Sequence, residues 1–143
     1  MYENPDRQHL IDIGLERAAE TLGDITGPVM AEFYRHYPEA RHAFEQHATE
    51  LPGQLEAEMV GIALYHAMEW FKSPMYTEIV FNSSVRHHEV ALHVPADWYR
   101  GLIEAFFAVV GPAACTADKD ERAAWQELRE GLVGLVERNR SGA

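Results

Sequence analysis

Proline and glycine residues divide this chain into segments whose apolar residues recur every three or four positions, as on one face of an α-helix. Prolines stand near the segment ends, where the first turn of a helix needs no N–H donor. They are Pro5, Pro28, Pro38, Pro52, Pro74, Pro95 and Pro112. No stretch alternates apolar and polar residues as a half-buried strand does. The sequence therefore predicts an all-α fold of six or seven helices joined by short turns.

The same punctuation predicts several helix boundaries. Thr26 opens the second helix, Pro38 closes it, and a short turn then leads to Phe44. A later, strongly apolar helix ends at Gly111-Pro112, and residues 116–121 form an acidic cap for the last helix.

The helix that starts at residues 49–53 has two apolar rows, which predicts that protein covers it on two sides. One row consists of Leu55, Met59, Ile62, Ala63 and His66, and the other of Val60, Leu64, Ala67 and Phe71.

Composition and charge limit the function. Residues 1–143 are enough for one domain with its own core. The net charge of −11 argues against nucleic acid or an anionic membrane as a partner. A lone cysteine, Cys115, and the lack of a signal-peptide pattern favour the cytoplasm.

Common catalytic and metal motifs are missing from the sequence. It has no glycine-rich phosphate loop, no nucleophile turn and no Cys-x-x-Cys pair. The acids, Glu56 and Glu58 among them, are expected to face solvent or cap helices.

His88 stands out among the eight histidines because it shares a helical face with Phe81, Val85 and Leu92. His87 lies about 100° around the helix. An imidazole on an apolar face needs a polar partner, since burying it unpaired costs a few kcal/mol. Periodicity leaves two solutions open, a hydrogen-bonded core histidine and a metal ligand.

Three segments, in this order and spacing, resemble globins, particularly the globin domain of bacterial flavohaemoglobins. In residues 33–44 a helix ends at Pro38-Glu39, and Phe44 follows six residues after the proline. Pro95 follows His88 by seven residues, and Ala124-Trp125 opens the last helix. The likeness spans roughly residues 8–138.

The resemblance implies a single globin-like domain with a three-over-three helical sandwich that binds haem b. His88 takes the place of the proximal iron ligand, its other ring nitrogen bonding to the backbone of Ser84. Phe44 takes the place of the phenylalanine that stacks on the porphyrin, and Met30 lies on the distal side.

On the distal side, the register favours Leu55 with Met59, a pair that offers no hydrogen-bond donor. A slip of one residue would instead place Gln54 there and turn Glu58 towards the haem. The other residues expected to line the haem are Val85, Leu92, Val94 and Trp98.

The leading hypothesis is reversible binding of a diatomic gas (O2, CO or NO) at five-coordinate iron. Without a distal donor, CO and NO are expected to be favoured relative to O2. One alternative is a nitric-oxide dioxygenase or peroxidase supplied with electrons by a separate reductase. The other is a globin-fold sensor or interaction domain without haem.

Overall fold

The computed structural model describes residues 5–47 and 52–140, which form seven α-helices and no β-strand. The helices are α1 (Pro5–Leu22), α2 (Thr26–His36), α3 (Pro38–His47), α4 (Pro52–Glu69), α5 (Pro74–Val90), α6 (Ala96–Ala114) and α7 (Lys119–Asn139). The all-α prediction is confirmed for this part of the chain. None of these helices combines the length and the hydrophobicity needed to cross a lipid bilayer.

Local sequence accounts for most helix starts. Thr26 opens α2, and Pro74 occupies the first turn of α5. The Asp118 carboxylate accepts a hydrogen bond from the backbone N–H of Asp120 at 2.7 Å, so the predicted acidic cap of α7 is confirmed. Most of the predicted start of α4 lies in residues 48–51, outside the described residues.

Two segments are more helical than predicted. The stretch after Pro38, expected to be a short turn, is the 10-residue helix α3, because a proline favours the first turn of a new helix. Helix α6 continues past Pro112 to Ala114. Because proline has no N–H, the carbonyl of Ala108 lacks its usual donor within the helix. Pro112 and Ala108 are both exposed, so water can donate to that carbonyl instead.

Helix α6 lies at the centre of the packing and contacts α1, α2, α4, α5 and α7. Its buried side chains include Ile103, Phe106 and Val110. Trp125 of α7 packs against Gly14 of α1, where the missing Cβ makes room for the indole. Apolar residues of all seven described helices thus form one continuous core centred on α6.

Helix α4 is covered by protein over only part of its length. Val60, Ala67 and Phe71 are buried, as are Ala63 and His66 of the other row. Leu55 and Met59 are only half-buried, and Ile62 is 54% exposed. The prediction of cover on two sides is therefore wrong at Ile62, whereas Met59 packs against the edge of the core.

The contact between Gly14 and Trp125 gives a test of the core. A Cβ at position 14 would lie 2.7 Å from Trp125 Nε1. Overpacking lowers the free energy of unfolding by ~1–3 kcal/mol. The higher helix propensity of alanine offsets ~0.5–1 kcal/mol of that loss. We expect Gly14→Ala to lower the free energy of unfolding by ~1–2 kcal/mol in chemical denaturation.

Gly61→Ala is the matched control, because a Cβ there would meet no atom within 4 Å. It should raise the free energy of unfolding by ~0.5–1 kcal/mol. Effects of the same sign for the two variants would contradict this packing.

Candidate functional site

His88 lies in the last turn of α5 with its tautomer fixed by the backbone. Its Nδ1 is 2.7 Å from the carbonyl oxygen of Ser84, the bond that the resemblance implies. Because a carbonyl only accepts hydrogen bonds, Nδ1 must carry the hydrogen. In the neutral ring Nε2 then holds a lone pair, and no residue in 5–47 or 52–140 donates a hydrogen bond to it. Nε2 of His88 therefore has the lone pair that a metal ligand requires.

A tight turn after α5 brings the start of α6 beside His88. The backbone N–H of Val94 donates to the carbonyl of His88 at 2.8 Å, and His93 adopts a left-handed conformation with φ 56°. The Tyr99 ring then meets the His88 ring edge-on, with 5.1 Å between the centroids. The Tyr99 hydroxyl also lies 2.9 Å from the Ser84 hydroxyl oxygen.

Phe44 of α3 lies in an aromatic cluster at the same end of α6. Its ring is 5.9 Å from that of Trp98, edge-on, and 6.3 Å from that of Phe33. Trp98 immediately precedes Tyr99, which contacts His88. The first turn of α6 therefore connects the two residues to which the resemblance assigns the main haem contacts.

Helices α4 and α5 contact each other near the turn that joins them. There the His66 ring lies 4.7 Å from the Phe81 ring, and both residues are buried. Helix α4 otherwise packs more on α2 and α6 than on α5. Farther from the turn, Ile62 of α4 is 54% exposed and Leu92, just past α5, is 52% exposed. Both side chains therefore leave apolar surface that the described residues do not cover.

The predicted site residues differ in burial. The half-buried ones are His88, Phe44, Leu55, Met59, Val94 and Trp98, whereas Leu92 and Gln54 are exposed. Met30 and Val85 are 3% and 0% exposed and belong to the core. A bound ligand could contact Met30 or Val85 only by replacing protein neighbours.

Sequence reasoning missed a polar pair beside Phe44. Glu56, expected to face solvent, is half-buried, and its carboxylate accepts a hydrogen bond from the Tyr34 hydroxyl at 2.6 Å. Burial raises the pKa of Tyr34, and the bond to Glu56 raises it further. The sequence does contain a signal for this pair. Tyr34 lies on the apolar stripe of α2, and a buried phenol hydroxyl needs a hydrogen-bond acceptor.

A cavity of about 200 Å³ lies next to this pair. Its lining residues are Tyr34, Arg41, Phe44, Glu45, Leu55 and Glu56. Cofactor pockets usually measure ~300–1,000 Å³. A large ligand would therefore need the uncovered apolar surface of α4 in addition to this cavity.

A larger cavity, about 400 Å³, lies elsewhere and contains none of the predicted site residues. Its charged side chains already pair with one another: His36 Nε2 is 3.0 Å from Glu32, and Arg129 bonds Glu104. These paired charges leave little unsatisfied polarity with which to bind a ligand.

A metal at His88 would need ligands other than a cluster of side chains from residues 5–47 or 52–140. Residues 5–47 and 52–140 contain no group of three or more histidine, cysteine or acidic side chains able to hold an ion. One imidazole is a small share of the four to six ligands of most protein metals. A porphyrin, which supplies four nitrogens of its own, suits a single histidine.

Comparisons with protein-family models, with curated proteins and with solved structures give no match. The globin resemblance therefore stays a prediction. The chemistry of His88 and the apolar surface around it provide the basis for a functional proposal.

Burial of His66 at the closed end of the site predicts a pH effect on stability. Burial lowers its pKa below the ordinary 6.5, so the unfolded chain binds a proton more tightly than the folded one. Its contribution to stability is therefore lost as pH falls from about 7 through the folded pKa.

We expect His66→Leu to flatten the fall in unfolding free energy between about pH 7.5 and pH 5, measured by urea denaturation. His42→Leu, at an exposed position of α3, is the matched control and should keep the wild-type pH dependence. An unchanged pH dependence in His66→Leu would show that His66 does not titrate as its burial requires.

Proposed function

We propose that this protein is a haem-binding globin that reversibly binds a diatomic gas at five-coordinate iron, with His88 as the protein ligand. The supporting observation is the hydrogen bond from His88 Nδ1 to the Ser84 carbonyl, which leaves Nε2 with a free lone pair. When bound, haem b supplies the iron centre at which O2, CO or NO binds. The proposal includes a three-over-three helical arrangement and one globin-like domain over residues 1–143.

The uncovered apolar surface suits a flat, largely apolar cofactor. Ile62 and Leu92 are about half exposed, and Leu55 and Met59 are half-buried. Burying a whole side chain of this kind is worth ~1.5–3 kcal/mol, so covering the exposed half of Ile62 and of Leu92 is worth ~1 kcal/mol each. These two side chains together supply ~2 kcal/mol of a cofactor's binding free energy.

Several other groups of the chain have separate roles at the proposed site. The Ser84 carbonyl orients the His88 ring, and the Phe44 ring offers a flat aromatic surface. Leu55 and Met59 exclude water without offering a donor. Glu56 is held by Tyr34, and a carboxylate only accepts hydrogen bonds. This distal side supports the preference for CO and NO relative to O2.

We propose gas binding rather than catalysis, because Leu55 and Met59 provide no acid–base group for splitting a peroxide bond. A separate reductase would be required only for turnover. The net charge of −11 and the single cysteine support an acidic cytoplasmic protein with neither nucleic acid nor membrane as its main partner.

Absorption spectroscopy after haem addition tests the proposal. The wild-type protein should bind one haem and show a five-coordinate ferrous spectrum that shifts when CO is added. His88→Ala should lose this spectrum because the imidazole ligand is gone, and added free imidazole should restore much of it.

His87→Ala is the matched control, since His87 is the exposed neighbour of His88 on the same helix. Its spectra should equal those of the wild type. Failure of the wild type to show a Soret band, or a His88→Ala spectrum identical to wild type, would overturn the haem proposal and favour the haem-free interaction domain.

A further inference from the structure

We propose that two copies of this chain form a symmetric dimer through an exposed hydrophobic surface where α4 meets α5. This surface, the α4–α5 corner, consists of five large exposed side chains: Tyr65, Met68, Met75, Tyr76 and Ile79. The inference goes beyond the proposed function and does not depend on it, because none of the five residues is expected to contact haem.

A short turn holds these side chains at one end of the molecule. Only residues 70–73 separate α4 from α5. The ring contact of His66 with Phe81 joins the two helices beside that turn, and the Tyr65 ring lies 5.8 Å from the His66 ring. The exposed residues at the end of α4 and at the start of α5 therefore belong to one region of the surface.

The backbone beneath the corner is firmly anchored. Trp70 packs against Gly131 of α7, where a Cβ would collide with the indole. Phe71 is buried, and the buried Thr77 donates its hydroxyl hydrogen to the Ser73 carbonyl at 3.0 Å. A rigid surface loses little conformational entropy on binding, so more of its contact energy contributes to affinity.

The exposed area is that of a standard protein interface. The five side chains are between 41% and 66% exposed. A whole aromatic side chain buries ~150–250 Å², so half-exposed side chains of about this size offer roughly 100 Å² each and about 500 Å² together. A standard interface buries about 800 Å² on each partner, and roughly 60% of it is apolar. The corner therefore supplies the apolar share of one interface.

Charge favours a second copy as the partner. Residues 65–79 contain two glutamates and one lysine, and Arg138 of α7 adds a second base. Lys72 lies 3.6 Å from Glu69, and Arg138 lies 3.1 Å from Glu78. The corner is thus electrically balanced on a chain of net charge −11. Two such corners can meet without like-charge repulsion, whereas a basic partner would be attracted to the acidic remainder of the surface.

The residue types also suit a self-contact. Tyrosine and methionine are enriched in the cores of protein interfaces. In a twofold dimer the same surface of each copy is used, so every side chain of the corner contributes twice. A single substitution there consequently changes both halves of the interface.

Analytical ultracentrifugation of the full chain tests the inference. At about 100 μM protein the wild type should sediment with twice the chain mass of 16.2 kDa, and dilution through the micromolar range should return the monomer. Salt screens the repulsion between two acidic copies, so raising NaCl from about 0.05 M to about 0.5 M should tighten the dimer severalfold. The result should be the same with and without added haem.

Ile79→Glu should weaken the dimer at least ~100-fold, because it places a carboxylate of each copy in an apolar contact. Tyr76→Ala should weaken it about tenfold without adding a charge. Both residues are exposed in the monomer, so the variants should keep the wild-type circular dichroism and urea unfolding. Val90→Glu is the matched control, since Val90 is exposed on the same helix outside the corner, and it should dimerise like the wild type.

Three results would overturn the inference. The first is a wild type that stays monomeric at about 100 μM in about 0.5 M NaCl, which would leave the corner to a different partner. The second is a dimer that persists in Ile79→Glu or is lost equally in Val90→Glu. The third is a dimer that salt weakens, because opposite charges rather than this apolar surface would then hold it together. Failure of the haem proposal would leave all three results interpretable.

Discussion

Burial of α6 among five other helices is the constraint on which the candidate site depends. Small residues let its neighbours approach, and Gly101 leaves room for Phe33 and Tyr37 of the α2 region. Because the helix is fixed along its length, its first turn is fixed as well. That turn holds Trp98 against Phe44 and Tyr99 against His88. The site geometry is therefore a consequence of core packing.

The helices were predictable because their signals are local. Proline positions and apolar spacing predicted the all-α class and most boundaries, and the face argument distinguished His88 from His87. Coverage of α4 was not predictable, since it depends on which distant helix packs there. Glu56 was missed for a similar reason: its partner, Tyr34, lies 22 residues away on another helix. The haem, the gas and the three-over-three arrangement stay predictions.

Ion pairs link several helices of this strongly acidic chain. Arginines link separate elements, as in Arg17 with Glu121 at 2.7 Å, Arg100 with Glu137 at 3.0 Å and Arg138 with Glu78 at 3.1 Å. Glu121 is buried, whereas the other two pairs are partly or fully exposed and add only ~0–1 kcal/mol each. Their larger effect is on the surface. Because these arginines are paired, the excess carboxylates determine the electrostatic potential outside the protein, and this negative potential repels polyanions.

Because His66 contacts Phe81, a rotation of α4 relative to α5 about this contact would move the other end of α4. The arm from His66 back to Leu55 is 11 residues, or about 16 Å at the helical rise of about 1.5 Å per residue. A rotation of about 5° at the ring contact therefore moves the far end by about 1.4 Å. In the proposed haem-bound protein, the separation of Leu55 from His88 therefore depends on side-chain packing at the far end of α4.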